Sequence, residues 1–269
     1  MENKIVLITG STDGIGKQTA LEIAKAGLTV LLHGRDKARG EAVRREIISK
    51  TKNENVNLFV ADLSSQYQIH KLAKEISGKY DRLDVLINNA GVFMKNRQTT
   101  EDGLEMTFAV NHIAPFLLTY LLLSLLKNGA PSRIINVSSV SHQRAAVDFD
   151  NLQSEKRFDG YDAYALSKLG NIFFTYELAE ILKDSAITVN AIHPGVINTK
   201  LLHTGFSIGG DSVEAGAETS VYLALSDDLK NITGKYFIKK KEMSSSPVSH
   251  NIELRKKFWR ISQQLTGIE

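Results

Sequence analysis

The chain of 269 residues has no cysteine, which excludes disulfides, thiolate nucleophiles and cysteine-ligated metal, and fits a reducing cytoplasm. No metal site is expected. There is also no long block of one charge. Lys and Arg number 33 against 30 Asp and Glu, a formal net charge of +3, and the one basic run, Lys239–Lys241, reads as a solvated turn. Nucleic-acid binding therefore has no electrostatic basis. Long apolar runs are missing too. The longest, IAPFLLTYLLLSLL from Ile113, is too short to span a bilayer and contains Pro115, one of only four prolines. It reads as a buried helix, and no membrane insertion is expected. The start, MENKIVLITG, passes straight into a strand pattern without the features of a secretory leader. No linker or repeat divides the chain, so one domain over 1–269 is expected.

What is present is an alternation. Short runs rich in Val, Ile and Leu recur at Ile5–Thr9, Thr29–His33, Leu58–Ala61, Val85–Asn88, Arg133–Val137, Thr188–His193 and Tyr236–Ile238. Between them lie helical patterns near Gly14–Ala26, Lys37–Thr51, Ser65–Lys79, Leu104–Lys127, Asp162–Leu182 and Val213–Ala224, with a last one at Ile252–Leu265. Strands apolar on both faces are covered by helices on each side. The order predicts an α/β fold: a doubly wound parallel sheet of about seven strands in a three-layer α/β/α sandwich.

The segment TGSTDGIGK, residues 9–17, joins the first strand to the first helix. Its glycines, Gly10, Gly14 and Gly16, are spaced 4 and 2, which matches neither the G-x-G-x-x-G fingerprint nor a P-loop. The physics is similar: glycines let the backbone approach a ligand, and the helix start offers amides to a pyrophosphate. A tight turn without a ligand is the alternative. Asp62, after the third strand, is placed either to accept from an adenine amino group or to cap a helix. Asn88–Val92 follows the fourth strand, at the sheet edge where ligands of such folds bind.

Tyr-x-x-x-Lys occurs three times, at Tyr67/Lys71, Tyr164/Lys168 and Tyr236/Lys240. On a helix this spacing puts both side chains on one face. Only Tyr164/Lys168 follows a strand that ends in serines (IINVSSVSH), and Tyr236/Lys240 starts on a strand, where the groups would not meet. Lys168 is expected to lower the Tyr164 pKa from about 10 towards neutrality by its charge. A packed Tyr–Lys pair without chemistry is the plain alternative. Pro115, lacking N–H, cannot donate to the Asn111 carbonyl and should kink its helix, either freeing that acceptor or serving packing alone.

With these motifs assembled, the sequence resembles the short-chain dehydrogenase/reductase family over essentially its whole length, in its retinol-dehydrogenase-like and WW-domain-oxidoreductase-like branch. The matching positions are the Gly10–Gly16 loop, Asp62, Asn88–Gly91, Asn111, Ser139, Tyr164, Lys168 and HPGVINT (His193–Thr199). The resemblance implies a Rossmann-type fold and an NAD(P)(H)-dependent oxidoreductase acting on alcohols or carbonyls. It assigns Ser139 (rather than Ser138), Tyr164, Lys168 and Asn111 to catalysis, the Asn111 carbonyl holding a relay water. Cofactor contacts are implied at Gly10, Ser11, Thr12, Asp13, Gly14, Ile15, Gly16, Arg35, Asp62, Leu63, Asn89, Ala90, Gly91, Tyr164, Lys168, Pro194, Gly195, Val196 and Thr199.

Gly34 occupies the acidic position of NAD-preferring members and Arg35 follows it, which favours NADP(H), with NAD(H) possible if Arg35 stacks on adenine instead. Asp36 reads as the cap of the second helix. An insertion near 141–160 lengthens the Ser139–Tyr164 interval. Residues 198–212, with Leu201, Leu202, Phe206 and Ile208, read as an apolar substrate lid. His193 reads as structural, and His203 as a weak candidate for substrate contact. The expected partner is a small apolar carbonyl or alcohol, and the resemblance implies a homodimer or homotetramer through the Leu104–Lys127 and Asp162–Leu182 helices. The runner-up function is a catalytically silent NADP(H)-binding sensor or scaffold.

Overall fold

A computed structural model describes residues 4–206 and 208–268. Along the chain run β1 (Ile5–Ile8), α1 (Gly14–Lys25), β2 (Thr29–Gly34), α2 (Lys37–Thr51), β3 (Val56–Val60), α3 (Gln66–Ser77) and β4 (Val85–Asn88). There follow α4 (Met106–Phe108), a π-helical turn (Ala109–Ile113), α5 (Ala114–Leu121), α6 (Leu123–Asn128), β5 (Ser132–Val137) and α7 (Gly160–Ile181). The remainder is β6 (Ile187–His193), α8 (Lys200–Gly205), α9 (Val213–Leu225), β7 (Lys235–Ile238), β8 (Lys241–Met243) and α10 (Ile252–Thr266). All strands form one sheet in the order β3-β2-β1-β4-β5-β6-β7-β8, parallel except for β8. The sheet thus has eight strands rather than seven. KEM, residues 241–243, is exposed, so it carries no buried-strand signature.

Strand alternation divides the core. Leu7 packs on the face covered by α3, α5 and α7, while Val6 and Ile8 pack on the face covered by α1, α2 and α9. The order reverses between β1 and β4, opening the crevice where ligands of such sheets bind.

The expected helix Leu104–Lys127 is broken. The Ala114 amide donates to the Ala109 carbonyl, five residues back, so the chain makes a π turn before Pro115 enters α5 near its start. A proline without N–H is accommodated where the α-helical ladder has already been interrupted. A second surprise is the reach of α10. Phe258 packs 5.3 Å from Phe173 and 4.9 Å from His112, and Trp259 packs 4.9 Å from Phe116, ring centroid to centroid. These rings of the π turn, α5 and α7 are thus covered from within the chain. Among the described residues, no helix is long and apolar enough to cross a membrane.

The β7–β8 hairpin closes with two residues, Lys239 and Lys240, at φ 49° and 65°. Such turns need positive φ at both positions, and L-residues with a Cβ pay roughly 1 kcal/mol or more for it. Replacing Lys239→Asn together with Lys240→Gly should raise stability by about 1–2 kcal/mol, read as a higher urea midpoint at unchanged slope.

Candidate active site

The site is built where β1, β4, β5 and β6 end. Gly10 leaves β1 at φ 63°, and a Cβ there would sit 2.9 Å from Ala90 Cα. At Gly16 a Cβ would lie 2.4 Å from both the Gly10 carbonyl oxygen and Asn89 Nδ2. Two of the three glycines are therefore fixed by backbone contact, which a plain turn would not need. Asn89 ties the loop down, its Nδ2 donating to the Thr9 and Gly10 carbonyls. Asp13 caps α1 by accepting from Gly14 N, and Lys200 beside it holds the Asp13 carboxyl below its ordinary range.

A single cavity of about 940 Å³ runs along these strand ends. It is lined by Gly10, Thr12, Asp13, Gly14, Ile15, Gly16, Arg35, Asp62, Leu63, Asn89, Ala90, Gly91, Pro194, Gly195, Val196 and Thr199 on one side, and by Ser139, Tyr164 and Lys168 beyond. Ser11 is the exception among the expected contacts. It is fully buried, its Oγ accepts from His33 N, and its amide donates to the His33 carbonyl, so it braces the loop from behind. Asp62 lines the cavity and is not the helix cap: Ser65 caps α3, and Asp62 Oδ1 accepts from the Ser64 amide and hydroxyl. Asp36 does cap α2, accepting from Arg39 N.

The geometry separates the two serines of β5's end. Ser138 Oγ donates to the Lys168 carbonyl at 2.8 Å and is spent on packing. The Ser139 hydroxyl accepts from Ser141 N at 3.2 Å and stands beside the Tyr164 phenol, near enough to oppose its upward shift. His142 anchors Ser139: its Nδ1 donates to the Ser139 carbonyl at 2.6 Å, a tautomer fixed because Nε2 accepts from Ser246 N. Lys168 Nζ donates to the Val137 carbonyl at 2.9 Å and stands 5.6 Å from the Tyr164 ring centre.

The expected charge effect is overturned in this arrangement. Burial pushes the Tyr164 phenol up to about 12, with the Ser139 hydroxyl opposing, and pulls Lys168 down to about 8. Desolvation penalises both ionised forms, and the ammonium's hydrogen bond goes to a carbonyl rather than to the phenol.

Asn111 is fully buried and does not line the cavity. Its Oδ1 accepts from Val92 N at 2.8 Å, while Nδ2 donates to the Val92 carbonyl and to Ser167 Oγ, each at 3.0 Å. Ser167 in turn donates to the Tyr164 carbonyl. Asn111 thus clamps the segment after β4 to the helix that carries Tyr164 and Lys168.

The lid is pinned at its base by a bridge between Ile197 and Asp211, and contains α8. Leu201, Leu202, Phe206 and Ile208 face the cavity, while Ser207 lies outside the described residues. Phe206 packs against Phe93, Tyr161 and Tyr164 at 5.4–6.0 Å. His203 turns away to Asn198 and does not line the cavity, so the contact considered for it is not made. His193 lines the cavity but is held neutral by burial, down to about 4.

Sequence reading missed Arg39, Lys200 and His33. Arg39 and Lys200 both reach Asp13, at 3.7 and 2.6 Å, across the cavity mouth. His33 Nδ1 accepts from Gly10 N and Nε2 donates to the Ala61 carbonyl, knitting the tips of three strands. A histidine near the end of an apolar strand gives no sign of such a role.

Residues 4–207 match the short chain dehydrogenase family. The chain belongs to that family. It is 43% identical over 282 residues to human retinol dehydrogenase 13, covering 99% of this chain and 85% of that protein. Mouse retinol dehydrogenase 12 is 40% identical, with coverage of 99% and 87%. Among solved structures, an uncharacterised protein from Mycobacterium paratuberculosis superposes with a TM-score of 0.84 at 29% identity, covering 99% and 94% of the two chains. A short chain dehydrogenase from Escherichia coli complexed with NADPH gives 0.74 at 26% identity, covering 90% and 98%. Membership makes the chain an NAD(P)-dependent oxidoreductase of the short-chain type.

Proposed function

We propose that the protein is an NADP(H)-dependent carbonyl reductase or alcohol dehydrogenase for apolar substrates, with Tyr164 as the proton-transferring group. The observation that carries this reading is the buried phenol of Tyr164, with Ser139 beside it and Lys168 5.6 Å from its ring centre, in the same cavity as the glycine loop. The loop fits a dinucleotide: no Cβ has room at Gly16, and the first turn of α1, twelve residues long, opens on the cavity. A bound nicotinamide would supply or take up the hydride.

The chain's own residues do the rest. Ser139 and Tyr164 would hydrogen-bond the substrate oxygen, and the neutral phenol hands its proton to that oxygen as negative charge builds. Lys168, withdrawn from water, would replace the phenol's proton or steady its anion. Apolar walls at Leu201, Leu202, Phe206 and Ile208 suit a hydrophobic aldehyde, ketone or alcohol, and retinoids belong to that class, as the names of the relatives suggest.

NADP(H) is favoured by the end of β2. A Cβ at Gly34 would lie 2.5 Å from Thr12 Cγ2, so a ribose-binding carboxylate has no room there, while Arg35 lines the cavity with a guanidinium suited to a 2′-phosphate. The Escherichia coli and Shigella flexneri neighbours, complexed with NADPH and NADP, support this. The test follows NADPH consumption across aldehydes, ketones and quinones, in parallel with titrations of both cofactors. Arg35→Ala should weaken NADPH binding about 10- to 100-fold, the loss of charge-assisted hydrogen bonds, and leave NADH nearly unchanged. NADPH binding without turnover on any substrate would favour the silent sensor.

A further inference from the structure

Charge along the cavity is unevenly spread. Its acidic side chains, Asp13, Asp36 and Asp62, all lie at the glycine loop and the tips of β2 and β3. Of the cations there, Arg39 and Lys200 are paired with Asp13, and Arg35 is accounted for by the cofactor. Lys168 is spent on the Val137 carbonyl. In the substrate half, walled by Met94, Met106, Val140, Leu201 and Phe206, Arg144 is the charged residue that no role has claimed. It is exposed and has no ion pair among the described residues. It ends the 3₁₀ turn Val140–Arg144 that begins directly after Ser139. A 3₁₀ segment of that length rises roughly 10 Å along the backbone, so Arg144 leaves the wall well beyond the serine.

Resting on the oxidoreductase reading, we propose that Arg144 selects amphipathic substrates: an apolar aldehyde or ketone that carries a carboxylate at the end remote from its carbonyl group. The carbonyl end meets Ser139 and Tyr164, the apolar span lies against the Leu201–Phe206 wall, and the carboxylate reaches the guanidinium at the mouth. Arginine suits this position because its planar fork grips a carboxylate with two parallel hydrogen bonds and stays charged at all working pH values. An exposed pair of this kind gives selectivity rather than large affinity.

The test compares kcat/KM for a medium-chain ω-oxo carboxylic acid, its methyl ester and the alkanal of equal length, all with NADPH. The acid should be preferred over the ester by roughly five- to tenfold at low salt, the expected range for a partly exposed bidentate pair. The preference should shrink as ionic strength rises, because added salt screens the pair. In Arg144→Gln the acid-to-ester ratio should fall to about one, with Arg144→Lys in between. An equal rate for acid and ester in the native enzyme, or an acid preference that survives Arg144→Gln, overturns the proposal while leaving the oxidoreductase reading intact. Turnover of none of the three compounds, with NADPH bound, brings down that reading and this proposal with it.

Discussion

Tyr164→Phe should lower kcat/KM for carbonyl reduction by about 10²- to 10⁴-fold, the range expected when a positioned proton donor is removed, while cofactor titration stays close to native. The ring's packing against Phe93 and Phe206 is kept, so the loss reads on the hydroxyl alone. The same group should give the two directions different pH dependences. With the phenol pushed up to about 12, it is protonated throughout the neutral range and ready to give a proton. Alcohol oxidation needs the phenolate, which at pH 7 amounts to about one molecule in 10⁵. Reduction should therefore outrun oxidation at neutral pH, and oxidation should climb as pH rises. Lys168, held near 8, adds a second limb: reductive turnover should decline above about pH 8 as the ammonium loses its proton. Lys168→Met should abolish that limb. A reductive profile that is flat to pH 10 in the native enzyme would contradict the role given to the lysine.

Acid should destabilise this fold early, starting near pH 6.5 rather than in the carboxylate range. Four histidines are buried and pushed down chiefly by desolvation: His142, and more strongly His33 to about 4, His112 to about 3 and His193 to about 4. Folding thus disfavours their protonation, whereas the unfolded chain takes up these protons below about 6.5. Their effect is absent above that value, grows as pH falls, and saturates once pH drops below the folded values. At pH 5 His33, His112 and His193 each cost about 2 kcal/mol, or roughly 6 kcal/mol together, against a total stability of about 5–15 kcal/mol for an ordinary domain. Urea midpoints measured from pH 7.5 to 5 should fall steeply. His33→Gln, which gives up protonation at one of these sites, should flatten the slope by up to about a third even though it lowers stability at pH 7.5. An unchanged slope would mean that the imidazoles reach solvent.

Much of this was legible in the sequence, for identifiable reasons. The parallel sheet could be read because strands covered on both faces must be continuously apolar, as Val6, Leu7 and Ile8 are. The glycine loop could be read because close backbone approach admits one residue type. The site's location followed from motifs that all fall just after strands. What stayed hidden depends on contacts distant in sequence. His142 meets Ser246 across 104 positions, and Arg39 meets Asp13 from a different helix. The π turn at Ala109–Ile113 changes hydrogen-bond register without changing the apolar pattern, so periodicity could not show it. The expected acidification of Tyr164 failed because i, i+4 spacing gives proximity along a helix but carries no information about burial.

The brace from Ser246 through His142 to Ser139 has a practical side. A fragment trimmed to the residues that match the short chain dehydrogenase family, 4–207, would keep β1 to β6 and the lid's first half. It would lack the amide that fixes the His142 tautomer, the edge strands beside β6 and the aromatic plug supplied by Phe258 and Trp259. The segment matched by the family and the unit that these contacts hold together therefore end at different places in this polypeptide.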